Sequence, residues 1–131
     1  MTDQRRANYA VIDFREHLGK DEDALDVPWA EFVGDTTSTA TFSVPTDDPI
    51  DAYVQLQAYD VQAYGHEIVV NGDSLSGFDV PPNDGWQYWM DTLSGATLTE
   101  GENEIEIHRD PSTLDEFVVG TVTVHWREPV D

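Results

Sequence analysis

A short stretch that ends in an Asn-Gly pair, His66–Gly72, constrains the fold of this chain more than any other feature. Ile68 and Val70 are two residues apart, so they share one side of an extended segment. The Asn-Gly pair favours a tight turn in which two consecutive residues take positive φ. The stretch therefore predicts a half-buried strand that ends in a hairpin turn.

A second stretch, Gly101–Ile107, repeats this period-2 pattern. Ile105 and Ile107 face one side of the chain, whereas Glu104 and Glu106 face the other. Further strands are predicted at Asn8–Phe14, Ser38–Val44, Ala52–Asp60, Trp86–Leu93 and Glu116–Glu128. With turn residues between them and no long helical pattern, about eight strands predict an all-β fold, an antiparallel β-sandwich of jelly-roll type.

The longest segment without a strand pattern is a predicted acidic connection over residues 16–37. Pro28 favours a short helical turn within it. We expect Leu25, Trp29 and Phe32 to cover one end of the core from this connection, because a long unstructured loop is unusual in a compact domain. The closing strand is expected to present an inward face made of Val118, Val122, Val124 and Trp126.

The charge of the chain is extreme. Its 131 residues include 27 acidic and 6 basic side chains, a net charge of −21, and Lys20 is the single lysine. Such a surface repels itself at low ionic strength, whereas molar salt shortens the screening length to about 3 Å. The composition resembles that of haloarchaeal proteins. We therefore expect a protein made in the cytoplasm of a high-salt cell, or one carried by a virus of such a cell.

Length and charge also limit the partners. The length suits one domain over residues 1–131. The acids are scattered rather than gathered in blocks, which argues against a nucleic-acid mimic and against a cation-binding surface. No basic patch is present to contact phosphates, so no nucleic acid partner is expected. No apolar run is long enough for membrane insertion, and no export signal is visible.

The sequence offers little for catalysis. It contains no cysteine. The four histidines match no zinc motif and lie far apart, at His17, His66, His108 and His125, so no metal or cofactor is expected. Among 27 acids, some pair of carboxylates would reach a catalytic separation by chance, and no Ser nucleophile motif is present. We therefore expect that the chain is not an enzyme.

A family resemblance rests on two motifs. The first is Val-Asn-Gly-x-x-Leu over residues 70–75, and the second is the Gly-x-Asn-x-Ile-x-Ile strand over residues 101–107, with a tryptophan-containing segment between them. Together they resemble the galactose-binding-domain-like jelly-roll superfamily over Ala52 to Trp126. This superfamily includes many carbohydrate-binding modules, so the resemblance implies the fold. It transfers no binding residue by motif match, and no calcium spacing is recognisable.

The first candidate binding site comprises the end of the turn at residues 80–85 and the aromatic segment that follows it. Sugars present apolar C–H faces and hydroxyls, so a glycan site needs flat aromatic rings beside short polar side chains. This segment supplies both, in Asn83, Asp84, Trp86, Gln87, Tyr88 and Trp89. The alternative is that one or both tryptophans fill the end of the core.

The second candidate is a stripe of polar and aromatic side chains on the outward side of the Ala52–Asp60 strand. Its members are Tyr53, Gln55, Gln57 and Tyr59. Tyrosine combines a large contact area with a hydroxyl, which suits a glycan site or a protein interface. The alternative is a solvated sheet face without a partner.

Three hypotheses of function follow. The first is a non-enzymatic structural or docking module in a larger assembly, such as a virion capsid, turret or tail component, with protein partners or further copies of itself. The second is a carbohydrate-binding module that recognises glycans through Trp86–Trp89. The third is an enzyme, which only the abundance of carboxylates would support.

Overall fold

The chain forms two stacked β-sheets in a computed structural model that describes residues 4–75, 79–93 and 98–130. The strands are β1 (Arg5–Leu18), β2 (Glu31–Gly34), β3 (Ala40–Val44), β4 (Ile50–Val61), β5 (Glu67–Val70), β6 (Asp73–Ser74), β7 (Asn83–Thr92), β8 (Gly101–His108) and β9 (Phe117–Pro129). One sheet has the order β2-β1-β9-β4-β7 and the other the order β3-β8-β5-β6. Apart from the parallel β1–β2 pair, all pairings are antiparallel, which confirms the predicted sandwich.

The predicted hairpin turn is confirmed. Asn71 has φ 51° and Gly72 has φ 84°, and the turn joins β5 to β6. Ile68 and Val70 are fully buried, and β5 pairs with β8, in which Ile105 and Ile107 are also buried. The two stretches that most constrain the fold therefore lie side by side in the four-stranded sheet.

The core lies between the two sheets and follows the predicted alternation. Inward residues of both sheets form one hydrophobic cluster, which includes Phe14, Phe42, Val54, Leu56, Ile68, Ile105, Val122, Val124 and Trp126. Trp126 is 1% exposed, which confirms its predicted place in the core.

The prediction that Val118 shares the inward face of the closing strand is wrong. Val118 is buried, but Val119 belongs to the hydrophobic cluster in its place. The cause is a β-bulge, because Leu56 pairs with Val122 while Ala58, two residues later, pairs with Val119. The extra residue in β9 reverses which side chains face the core.

The predicted acidic connection over residues 16–37 is also much shorter than expected. Strand β1 continues to Leu18, a single 3₁₀ turn spans Glu22–Ala24, and β2 pairs with β1 over Glu31–Gly34. A turn is present after Pro28, closed by a hydrogen bond from Ala30 N to Val27 O at 3.0 Å. Leu18 and Val27 are the buried hydrophobic residues of this segment. Of the three residues expected to cover the core, Leu25 and Phe32 are half-buried and Trp29 is exposed.

A buried polar cluster fixes the loops at one end of the sandwich. The His66 ring contacts two carboxylates, with Nδ1 2.8 Å from Asp79 Oδ1 and Nε2 2.7 Å from Asp115 Oδ2. Burial lowers the pKa of His66, but the hydrogen bonds and charges of Asp115 and Asp79 outweigh it, so the pKa is raised. Nearby, the buried Arg109 donates from Nη1 to Asp35 Oδ1 at 2.6 Å.

Within the described residues, no helix is long and apolar enough to cross a membrane.

Candidate functional site

Strand pairing brings the two candidate sites of the sequence onto one surface. Strand β4 pairs with β7 in the register Tyr59↔Trp86, Gln57↔Tyr88 and Gln55↔Met90. Residues directly opposite each other in an antiparallel pair share one face of the sheet. The outward stripe of β4 and the outward residues of β7 therefore form a single surface. From the sequence they were predicted as two separate candidate sites.

This surface continues across β9 and β1. Gln55 is opposite Thr123, Tyr53 is opposite His125, and in turn His125 is opposite Tyr9. We call this part of the outward side of the five-stranded sheet the aromatic face. It comprises Tyr9 and Val11 of β1, Thr121, Thr123 and His125 of β9, Tyr53, Gln55, Gln57 and Tyr59 of β4, and Trp86, Tyr88 and Met90 of β7.

The residues of the first candidate site do not all lie on one surface. Trp86 and Tyr88 are exposed on the aromatic face, whereas Trp89 points to the opposite side and packs against the core. Gln87 also leaves the aromatic face, and its Nε2 donates to Pro81 O at 2.7 Å. The reason is the two-residue period of β7, which sends neighbouring side chains to opposite faces.

The other two members, Asn83 and Asp84, lie exposed at the start of β7. Asn83 Nδ2 donates to Asp84 O at 3.1 Å. They therefore border the aromatic face near Trp86 rather than forming its floor.

Three aromatic rings cluster at this end of the face, and we call them the tryptophan platform: Trp29, Tyr59 and Trp86. The ring centroids of Trp29 and Trp86 are 5.7 Å apart, and those of Tyr59 and Trp86 are 5.2 Å apart. Trp29 meets Tyr59 edge-on, at 5.7 Å and 81°. Trp29 and Trp86 nevertheless remain 43% and 51% exposed, so the platform is open to a ligand.

Trp29 is the platform residue that sequence reasoning missed. It was expected in the core, but the turn after Pro28 carries it onto the aromatic face, where it contacts Trp86. Its place depends on the parallel β1–β2 pair, which returns the chain beside β1. The sequence contains no local signal for that pairing.

Gly120 gives Trp86 the room to lie across the sheet. A Cβ atom at Gly120 would lie 2.9 Å from Cζ3 of Trp86 and 3.5 Å from Cβ of Gln57. Trp86 belongs to β7 and Gly120 to β9, so the indole reaches over β4 to the third strand. A glycine within a strand often marks such a close approach, and this signal was present in the sequence.

A second aromatic group, the histidine row, crosses the other end of the face. His125 stacks on Tyr53 with ring centroids 4.4 Å apart and an angle of 7°, and Tyr9 lies 6.2 Å away on β1. His125 Nε2 is 2.7 Å from Gln55 Oε1. Burial lowers the pKa of His125, so its ring is neutral at pH 7.

Polar but uncharged side chains separate the two aromatic groups. Along β4 and β9 these are Gln55, Gln57, Thr121 and Thr123. Amides and hydroxyls both donate and accept hydrogen bonds. On a chain with 27 acids, a floor without a carboxylate is a local departure from the overall composition.

Acidic residues do occur at the rim of the aromatic face. Asp13 lies on β1 directly opposite Thr121, on the same side of the sheet, and its Oδ2 is 3.2 Å from Nε of Arg15. Asp51 and Asp91 border a cleft of about 600 Å³ that also contacts Tyr53 and Met90. Among residues 4–75, 79–93 and 98–130, no group of three or more His, Asp or Glu side chains is arranged to hold a metal ion.

Two solved structures share this fold at low sequence identity. The CBM36-1 domain of a multidomain xylanase from the hindgut metagenome of Trinervitermes trinervoides aligns with a TM-score of 0.62 and 9% identity, over 89% of this chain and 96% of that chain. The GH26-CBM35 β-(1,4)-mannanase of Podospora anserina aligns with a TM-score of 0.53 and 11% identity, over 94% of this chain but 28% of the mannanase. These likenesses confirm a β-sandwich of jelly-roll type.

The coat protein of Tobacco streak virus aligns more weakly, with a TM-score of 0.40 and 10% identity, over 95% of this chain and 88% of the coat protein. No curated protein sequence matches the chain. The sequence model of one protein family, described as a family of unknown function (DUF7383), matches residues 6–128.

Proposed function

This chain belongs to the DUF7383 family, and we propose that it is a non-catalytic module that binds glycans on its aromatic face. The observation that carries the proposal is the tryptophan platform, in which Trp29 and Trp86 expose their rings to solvent beside Gln57. Aromatic rings suit the apolar C–H faces of a sugar, and amides suit its hydroxyls. The platform supplies both kinds of contact.

The cost of exposing these rings supports a binding role. Two large indoles that pack against each other at the surface, rather than in the core, form an apolar patch, and such patches commonly mark binding sites. Gly120 adds to this argument, since a larger residue would lift Trp86 off the sheet. The ring is therefore held in place before any ligand arrives, which reduces the entropy lost on binding.

The relatives in fold suggest which glycans to test first. One solved neighbour is a domain of a xylanase and the other is a mannanase, so xylan and mannan are the starting polysaccharides. The likeness itself shows only the fold. The choice of a glycan as ligand rests on the platform.

Affinity electrophoresis or calorimetry with xylan and mannan tests this proposal, in about 2 M KCl to screen the surface charge. Trp86→Ala and Trp29→Ala are expected to weaken binding by about tenfold or more, since each removes one stacking surface. Tyr64→Ala is the matched control, because Tyr64 is an equally exposed aromatic residue in the connection between β4 and β5. If the folded wild-type protein binds no glycan in a broad array, the proposal is wrong.

A second candidate function is docking within a larger assembly. The observation that favours it is the aliphatic part of the aromatic face, where Val11 is 57% and Met90 is 58% exposed. Exposed aliphatic side chains contribute more to a protein interface than to sugar stacking. A capsid, turret or tail protein of a virus, or a further copy of this chain, would be the partner.

Light scattering separates this candidate from a monomeric glycan-binding module. If the face docks onto further copies, the wild-type protein is expected to form oligomers in molar KCl that Val11→Asp or Met90→Asp abolishes. If the protein is a monomer under all conditions, docking onto further copies is excluded, and the glycan-binding proposal is unaffected.

We also propose that the protein works in a high-salt environment, in the cytoplasm of a halophile or in a virion exposed to brine. The net charge of −21 on 131 residues supports this proposal. Its test is the dependence of stability on salt.

A further inference from the structure

The aromatic face is long as well as aromatic. Tyr59 of the tryptophan platform and Tyr53 of the histidine row lie six residues apart on the same strand and face the same way. At about 3.3 Å per residue, the two aromatic groups are about 20 Å apart. A single sugar ring is much too small to contact both groups.

The floor between the two groups is continuous and uncharged. Gln55 and Gln57 follow each other along β4, with Thr121 and Thr123 on one side of them and Tyr88 and Met90 on the other. None of these six side chains carries a charge. A ligand lying along β4 would therefore meet amide and hydroxyl groups over its whole length between the two groups.

The side chains of the floor limit what can occupy it. The floor contains no lysine or arginine, so a carboxylate or sulfate group placed there would lose water without gaining a cationic partner, at any salt concentration. A ligand rich in hydroxyls but without carboxylate or sulfate groups avoids this cost.

Resting on the proposed function, we propose that the ligand is an uncharged linear oligosaccharide that lies along β4 and contacts both the tryptophan platform and the histidine row. The platform stacks on one end of the chain. Tyr53 and Tyr9 contact the other end, and Gln55 and Gln57 bind the hydroxyls between them. The site thus recognises the length of a glycan chain as well as one terminal sugar.

A series of xylo- and manno-oligosaccharides, from the monosaccharide to the hexasaccharide, tests this inference by calorimetry in about 2 M KCl. Affinity is expected to rise by about tenfold or more between the disaccharide and the hexasaccharide, as the chain reaches the second aromatic group. Tyr53→Ala should lower the affinity for the hexasaccharide by about tenfold and leave that for the disaccharide unchanged. Trp86→Ala should weaken the binding of both.

Tyr9→Ala is the second variant, because Tyr53 stacks on His125 and its loss could disturb the sheet. Tyr9 is exposed at 62%, so its removal leaves the core intact, and the same selective loss of hexasaccharide binding is expected. A glucuronic acid polymer serves as the charged control and should not bind.

The outcomes separate the two proposals. If the disaccharide binds as tightly as the hexasaccharide and Tyr53→Ala changes nothing, the ligand covers the platform alone. In that case the glycan-binding function stands and the inference of a chain-spanning site is overturned. If no oligosaccharide binds to the folded protein, the proposed function itself fails.

Discussion

At the scale of single residues, the tryptophan platform depends on the absence of a side chain at Gly120. Gly120 has no Cβ, and the Trp86 ring occupies the space that a Cβ would need. Trp86 contributes the far end of its side chain to this contact, which can move without disturbing the backbone. Gly120 is therefore a positioning residue for the platform rather than a residue required for folding.

We expect Gly120→Ala to displace the Trp86 ring and to weaken glycan binding by about tenfold, with a change in the free energy of unfolding below about 1 kcal/mol. The reason for the small stability change is that no positive φ requires glycine at this position. Near-ultraviolet circular dichroism, which reports on the Trp29–Trp86 contact, and calorimetry with xylan or mannan measure the two effects. Thr41→Ala, at an exposed position of β3 in the other sheet, is the control, and an unchanged tryptophan spectrum in Gly120→Ala would contradict the assigned role.

His66 makes the stability depend on pH. Because Asp115 and Asp79 raise its pKa against the effect of burial, the folded protein binds this proton more tightly than the unfolded chain does. The stabilisation is fully present below the ordinary value of 6.5 and is lost as the pH rises through the raised pKa. Asp79 behaves in the opposite sense, since its lowered pKa makes a contribution that is lost only in acid, below 3.8.

The expected result is that the free energy of unfolding of the wild-type protein falls as the pH rises from 6.5 into the alkaline range. His66→Gln should be less stable by about 3 kcal/mol at pH 6.5, because it leaves two carboxylates without the buried cation, and should lack this pH dependence. Denaturant unfolding in about 2 M KCl measures both quantities. His108→Gln is the matched control, since His108 pairs with Glu106 at a half-exposed site, and equal pH slopes in all three proteins would refute the role of His66.

At the scale of strands, the sequence predicted best where one face of a strand is buried and the other is solvated. In the predicted strands Ser38–Val44 and Ala52–Asp60, Phe42, Val54 and Leu56 alternate with polar side chains, and all three are buried. A period of two is a local property of the chain, so it can be read without knowing any strand partner.

The errors in the predicted fold have causes that are not local in the sequence. The bulge opposite Leu56 and Ala58 moves Val118 off the inward face, and it is a feature of the pairing of β9 with β4, a strand far away in the sequence. Strand β2 is short, and its pairing with β1 is parallel, so neither its length nor its alternation marks it in the sequence. Such features depend on packing between distant segments.

The candidate site was predictable in its parts but not as a whole. Alternation along β7 separates Trp86 from Trp89, and a stricter use of the period would have divided the Trp86–Trp89 cluster from the sequence alone. Tyr59 lies beside Trp86 because β4 pairs with β7, although β5 and β6 come between these two strands in the sequence. No local pattern specifies that pairing, or the return of Trp29 to the same face.

At the scale of the whole molecule, the arginines are already paired with acids. All five arginines pair with carboxylates: Arg5 with Asp48, Arg6 with Glu128, Arg15 with Asp13, Arg109 with Asp35 and Arg127 with Asp51. With 27 acids against 6 basic residues, most carboxylates can have no cationic side chain of their own. Their mutual repulsion is therefore a property of the entire surface rather than of any one pair.

This surface predicts a strong dependence of stability on salt. Folding brings the carboxylates closer together than they are in the unfolded chain, and many small repulsions add up to a penalty comparable to the stability of a typical domain, about 5–15 kcal/mol. Molar KCl reduces the screening length to about 3 Å and removes most of this penalty while leaving the buried core unchanged. Acidification towards the carboxylate pKa range should partly imitate salt, because protonation removes the same charges.

We expect the melting temperature to fall steeply when KCl is lowered from about 2 M to about 50 mM, and the fold to be lost at the lower end. Circular dichroism and tryptophan fluorescence measure the transition, and an uncharged osmolyte such as sucrose at matched water activity is the control for effects other than screening. Salt should act mainly by weakening repulsion, so NaCl and KCl are expected to stabilise the protein to a similar extent. A melting temperature that stays constant across this range would mean that the carboxylates are compensated by some other means, and the proposal of a high-salt environment would then be wrong.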